Sequence, residues 1–100
     1  MQPPLPARFE REHGCTLREW LGWLPGAVGP RALDLGTPGE ARVRVGSGEL
    51  QLQWQALPPR QIALIRMPRL HVTYRFDAVS DADRGAFMRY FDLYMQRGGG

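Results

Sequence analysis

The chain contains no lysine and no asparagine, one cysteine and two histidines, and no apolar run that approaches the roughly 20 residues of a membrane span. With Cys15 alone, an intrachain disulfide is impossible and no cysteine-based metal site can be assembled, which suits a reducing compartment. Residues Met1 to Pro6 have neither the charged start nor the apolar core of a secretory signal, so the expected location is the cytoplasm, with no membrane partner. Chemical motifs are missing too. There is no phosphate loop, dinucleotide-binding glycine pattern, zinc-binding helix signature or nucleophile elbow. These absences weigh against most enzyme classes, and the sequence assigns no catalytic residue, no metal ligand and no cofactor.

All 13 basic side chains are therefore arginines. A GC-rich genome favours Arg, Ala, Gly and Pro codons over Lys and Asn codons, so the composition is read as the mark of a high-GC bacterium. The net charge of +3 and the pI of about 9.8 are modest in effect, because the arginines are scattered from Arg8 to Arg97. A nucleic-acid binder gathers its basic groups on one face, so nucleic acid is not the expected partner. At 100 residues, 43% hydrophobic and 23% charged, the chain has the size and balance of one globular domain.

Three prolines between Gln2 and Pro6 predict an extended or disordered arm over residues 1–6, and Ala7 to His13 fits either a short strand or a helical turn closed by Gly14. Thr16 and Glu19 form a capping box that opens a helix. Leu17, Trp20, Leu21 and Leu24 make its apolar stripe, and Pro25 and Gly26 are expected to stop it. Trp23 lies beside the stripe, placed either to cover the helix edge or to face a pocket or partner. After a possible short strand at Arg31 to Leu35, the period changes to two. Ala41, Val43 and Val45 alternate with Arg42 and Arg44, and Leu50, Leu52 and Trp54 alternate with Gln51, Gln53 and Gln55. Gly46, Ser47 and Gly48 suit the hairpin turn between them.

Pro58 and Pro59 are expected to break the sheet before Gln61 to Arg66, an apolar run read as a strand buried on both faces. Leu70, Val72, Tyr74 and Phe76 then alternate with His71, Thr73 and Arg75 in the clearest strand of all. Ser80 caps a long helix whose stripe is Phe87, Met88, Phe91, Tyr94 and Met95, with Asp81 and Asp83 suited to its positive N-terminal end. It closes at Arg97, before a flexible tail at residues 98–100. The order predicts a single α+β domain: an antiparallel sheet of four or five strands, with a short N-terminal helix and a long C-terminal helix packed on one face.

Five features carry the functional readings. The polar sheet face groups Arg42, Arg44, Gln51, Gln53, Gln55, His71, Thr73 and Arg75, and reads as solvated surface or subunit contact, because it offers no aromatic on which an RNA base can stack. A reading of His71 with Arg75 as an enzyme centre requires the two to converge in a cleft. The apolar side, with Trp54, Tyr74, Phe76, Phe87, Met88 and Phe91, is either a solid core or a pocket for a small apolar ligand, and Met67 and Met95 would suit an adaptable lining. The terminal diglycine matches the end of ubiquitin-like sulfur carriers, although those reach it from a strand rather than a helix. Cys15 precedes a helix N-cap without an evident base and reads as a small packing residue.

The run Arg8, Phe9, Glu10, Arg11, Glu12, the helix ending Trp23-Leu24-Pro25-Gly26, and the strands followed by a long helix resemble a shortened helix-grip protein of the polyketide cyclase and START type. That resemblance implies a sheet gripping the long helix around an apolar cavity, and it transfers no catalytic residue. The expected function is non-enzymatic binding or interaction, with a small apolar ligand or a second copy as the partner.

Overall fold

The structure, a computed structural model, describes residues 5–98. Its elements run β1 (Arg8–His13), α1 (Leu17–Val28), β2 (Leu33–Asp34), β3 (Glu40–Val45), β4 (Gly48–Ile62), β5 (Ile65–Asp77) and α2 (Asp81–Gly98). The five strands form one sheet in the order β1-β5-β4-β3-β2, and every pairing is antiparallel. The chain is thus an α+β fold whose first strand lies beside its last. No helix among the described residues is long and apolar enough to cross a membrane.

Each element follows from local chemistry. The Thr16 hydroxyl accepts the Glu19 amide while the Glu19 carboxylate accepts the Thr16 amide, so two of the helix's free donors are satisfied at the start of α1. Gly46 takes a φ of 58° at the first position of the β3–β4 turn, a conformation in which a side chain is strained. The Ser80 hydroxyl accepts the Asp83 amide and opens α2. The even-numbered residues of β5 (Leu70, Val72, Tyr74 and Phe76) face the helices with Val43, Val45, Leu50 and Leu52, and all are buried. Trp20 and Leu24 of α1 and Phe87, Met88 and Phe91 of α2 close over them.

Four expectations are corrected. Pro25 and Gly26 do not end α1, which runs through Pro25 to Val28 and is capped by Gly29 at φ 66°. The proline withdraws one amide from the Leu21 carbonyl, a site open to water, while the extra turn buries Ala27 and Val28. Leu17 and Leu21, assigned to the buried stripe, are exposed at the helix edge. Pro58 and Pro59 do not break the sheet either. β4 continues past them with a bulge between Leu57 and Arg60. The strand has already left β3 at Gln53, so its outer side has no ladder bonds for a proline to remove. Gln61 to Arg66 is not a buried strand but the end of a hairpin: β4 stops at Ile62, Ala63 and Leu64 turn, and β5 begins at Ile65.

The ends differ from the expected loose segments where they are described. Leu5 packs against the core, and its carbonyl accepts the Nε–H of Arg84, a buried arginine that also donates to the Val79 carbonyl and pairs with Asp81. α2 carries on to Gly98. Residues 1–4 of the expected arm and Gly99 and Gly100 of the expected tail lie outside the described residues.

Candidate functional site

The six residues assigned to a ligand-lined interior come together and fill it themselves. Phe76 meets Phe87 at 6.2 Å, Tyr74 meets Phe91 at 5.9 Å, and Phe87 meets Phe91 at 5.8 Å between ring centroids. Trp20 of α1 inserts between Trp54 and Phe91 at 5.9 and 6.1 Å, and Met88 is buried beside them. These spacings are those of packed aromatics, edge-to-face in every pair but the tilted Phe87–Phe91. Of the two further methionines, Met95 borders an open cleft, while Met67 stands far out on the β4–β5 hairpin.

Arg42, Arg44, His71 and Arg75 all occupy the sheet face that carries no helix. Rows across the sheet alternate in sign: Arg8, Arg75, Gln51 and Arg42 are in register in one, and Glu10, Thr73, Gln53 and Glu40 in the next. His71 Nε2 lies 2.8 Å from Glu10, Arg42 lies 3.7 Å from Glu49, and Arg69 donates to Glu12 at 2.7 Å. That last bond holds the Glu12 carboxyl below its ordinary range. His71 and Arg75 stand four residues apart on one strand, about 13 Å by strand rise, and each has its own cross-strand neighbours. They do not converge.

Open space lies elsewhere, and one stretch of it, about 420 Å³, is bordered by Tyr90, Leu93, Tyr94 and Arg97 of α2. A cleft of about 330 Å³ lies between the end of β1, the first turns of α1 and the last turns of α2, lined by Arg11, His13, Cys15, Trp23, Asp92 and Met95, with Gly14 and Gln96 at its margin. Strand alternation builds one wall. Because Glu10 and Glu12 face the open side of the sheet, Arg11 and His13 must face the helices. Arg11 donates to Asp92 at 2.7 Å, and its guanidinium sits over the rings of Phe9 and Tyr74 at 5.1 and 5.5 Å. His13 Nε2 lies 2.6 Å from the Tyr74 hydroxyl, with the imidazole 5.1 Å from the Trp20 ring.

Burial sets the protonation of this group. It lowers the His13 pKa, with the Arg11 charge acting in the same direction, and it raises that of the Tyr74 phenol. Both partners are therefore neutral near pH 7, and one hydrogen lies between Nε2 and the phenol oxygen, its donor set by the imidazole tautomer. The Cys15 thiol is pushed up to about 11 by burial and by Glu19. A thiol with that pKa is protonated at neutral pH and is a poor nucleophile. The cleft can thus hydrogen-bond and pack a guest, but it holds no activated nucleophile. Among the described residues, no group of three or more metal-ligating side chains converges.

The sequence alone gave no site role to Arg11, His13 or Asp92, because 81 residues separate Arg11 from its partner Asp92 and 61 separate His13 from Tyr74. Trp23, noted as lying off the helix stripe, and Met95, noted as suited to an adaptable lining, were the usable signals. The chain matches no protein-family model, and no curated protein matches it.

Proposed function

We propose that this protein is a non-enzymatic binder of a small ligand, of the helix-grip kind, and that the ligand sits in the cleft beside the long helix rather than between that helix and the sheet. Element order supports the helix-grip reading: a lone first strand, then a helix, a run of antiparallel strands and a closing helix held against their apolar face. The cleft at Arg11, His13 and Trp23 is the observation that carries the binding role. Its size is at the lower end of the range for small-molecule sites. Trp23 and Met95 offer a planar and an adaptable apolar wall. Across from them, the Arg11–Asp92 pair and the neutral His13 offer donors and acceptors with no net charge. The guest that fits is small and uncharged, with one flat apolar side and one hydrogen-bonding edge. The absence of lysine and asparagine and the protonated, buried Cys15 support a cytoplasmic setting in a bacterium of GC-rich genome.

The reading is tested with a library of neutral heteroaromatic fragments, followed by the NMR signals of the Trp23 indole, the Met95 methyl and the His13 ring. Hits that shift these three signals, and that are lost when Met95→Trp fills the cleft without unfolding the chain, bear it out. Fragments that shift only residues outside the cleft, or shift none at millimolar concentration, reject it.

A further inference from the structure

The longest departure from a compact shape is the β4–β5 hairpin. β1 ends where His13 meets Leu70, and β3 ends where Glu40 meets Gln53, so beyond Leu57 and Arg69 the two strands pair only with each other. The resulting ribbon reaches roughly 20 Å past the sheet. Its end is apolar and bare: Ile62 is 54% exposed, Leu64 98%, Ile65 63% and Met67 44%. An isolated two-stranded ribbon is marginal in water, and apolar groups at its tip add nothing to its own stability while they remain in water.

Three details of the ribbon restrict what can cover that tip. The bulge at Pro58 and Pro59 shifts β4 by one residue, so that Ile62 stands opposite Ile65 and Arg60 opposite Met67. The apolar side chains therefore gather on one side and at the turn instead of being divided between two faces. Prolines lie on both strands, Pro58 and Pro59 on β4 and Pro68 on β5. They interrupt the outer edges and discourage a partner that adds a strand, a second copy included. Charge is one-sided, since Gln55 to Leu70 includes Arg60, Arg66 and Arg69 and no carboxylate. Arg60 and Arg69 reach Glu12 at the base, while Arg66, opposite Gln61 near the tip, forms no ion pair among the described residues.

We propose that this arm docks on an anionic lipid surface, the tip of Ile62, Leu64 and Ile65 entering the acyl boundary and Arg66 lying at the headgroups. Lipid accepts apolar side chains without a matching pocket and supplies the negative charge the arm lacks. Nucleic acid fits less well, because the arm has no aromatic to stack and too few free cations for the many phosphate contacts that such binding requires. The expectation of no membrane partner rested on the want of a spanning segment, which has no bearing on a peripheral tip. This proposal is independent of the cleft.

Co-sedimentation with vesicles tests it, comparing phosphatidylcholine alone with a mixture containing roughly one-third phosphatidylglycerol. The wild-type chain should pellet with the mixed vesicles, bind the neutral ones about tenfold more weakly, and be released as salt rises. The double variant Leu64→Glu, Ile65→Glu should bind the mixed vesicles at least about tenfold more weakly. Arg66→Glu should lose much of the anionic preference. All three sites are exposed, so an unchanged melting curve shows that the fold is kept. The proposal is overturned if the wild type stays in the supernatant with both vesicles, or if the double variant pellets as the wild type does. It is equally overturned if the chain ignores vesicles yet runs as a dimer that the double variant splits, or ignores vesicles yet shifts duplex DNA.

Discussion

His13 ends β1 with its imidazole between the Trp20 ring and the Tyr74 hydroxyl, and its burial makes it a pH-dependent element of stability as well as a wall of the cleft. Its folded pKa lies below the ordinary value of 6.5, so on acidification the unfolded chain takes up this proton first. The contribution is complete above that ordinary value and is lost as the pH falls through the folded one. The urea midpoint should accordingly drop as the pH is lowered through about 6.5, and the drop should be smaller in His13→Asn, which keeps a polar partner for Tyr74 but cannot titrate. Equal drops in the two proteins would show that His13 is not held neutral. Arg11 and Asp92, the charged groups beside it, oppose each other in their effect on the ring.

At the scale of elements, the seam between the two helices depends on a missing side chain. Gly26 lies in the last turn of α1, where an added Cβ would run into the Tyr94 ring of α2, and Gly29, which ends the helix at positive φ, lies under Tyr90. Helix propensity alone makes Gly26→Ala stabilising by about 1 kcal/mol. The overlap with Tyr94 reverses the sign, and a net loss of about 1–3 kcal/mol is expected in chemical denaturation. A truncated partner, Tyr94→Ala, should restore most of that loss in the double variant, since the ring is then gone. A Gly26→Ala midpoint above that of the wild type would mean that Tyr94 does not pack against Gly26.

On the scale of the molecule, the body and the ribbon are separable. The body holds one aromatic core between the sheet and both helices, whereas the ribbon adds length to a molecule of 46 × 37 × 22 Å and contributes no buried residue beyond Leu70. Leu57 and Arg69 are already register partners, so residues 58–68 can be replaced by Asn-Gly, a two-residue turn that suits them. The shortened protein should melt within about 5 °C of the full chain and keep its fragment binding at Trp23. A much larger fall would mean that the ribbon supports the fold, and its exposed side chains would then have a structural role.

The amino-acid sequence by itself determined the periodic elements: the strands around Val43, Leu52 and Val72, the capped starts at Thr16 and Ser80, and the stripe of Phe87, Met88 and Phe91. In each, the signal lies within a few neighbouring residues and burial on one face enforces it. It was misleading where a local rule met a favourable setting. Pro25 is tolerated because the turn after it is buried, and Pro58 and Pro59 because the strand edge there is unpaired. The hairpin at the tip was illegible for another reason: its turn uses Ala63 at φ 54° where glycine, asparagine or aspartate normally announces a positive angle. Only the tertiary structure decided that the interior is filled, that Arg11 and His13 meet Asp92 and Tyr74 in a cleft, and that the four apolar side chains at the end of the hairpin stand in water. Each of those facts depends on which distant segments share a surface, and no residue's neighbours along the chain record that.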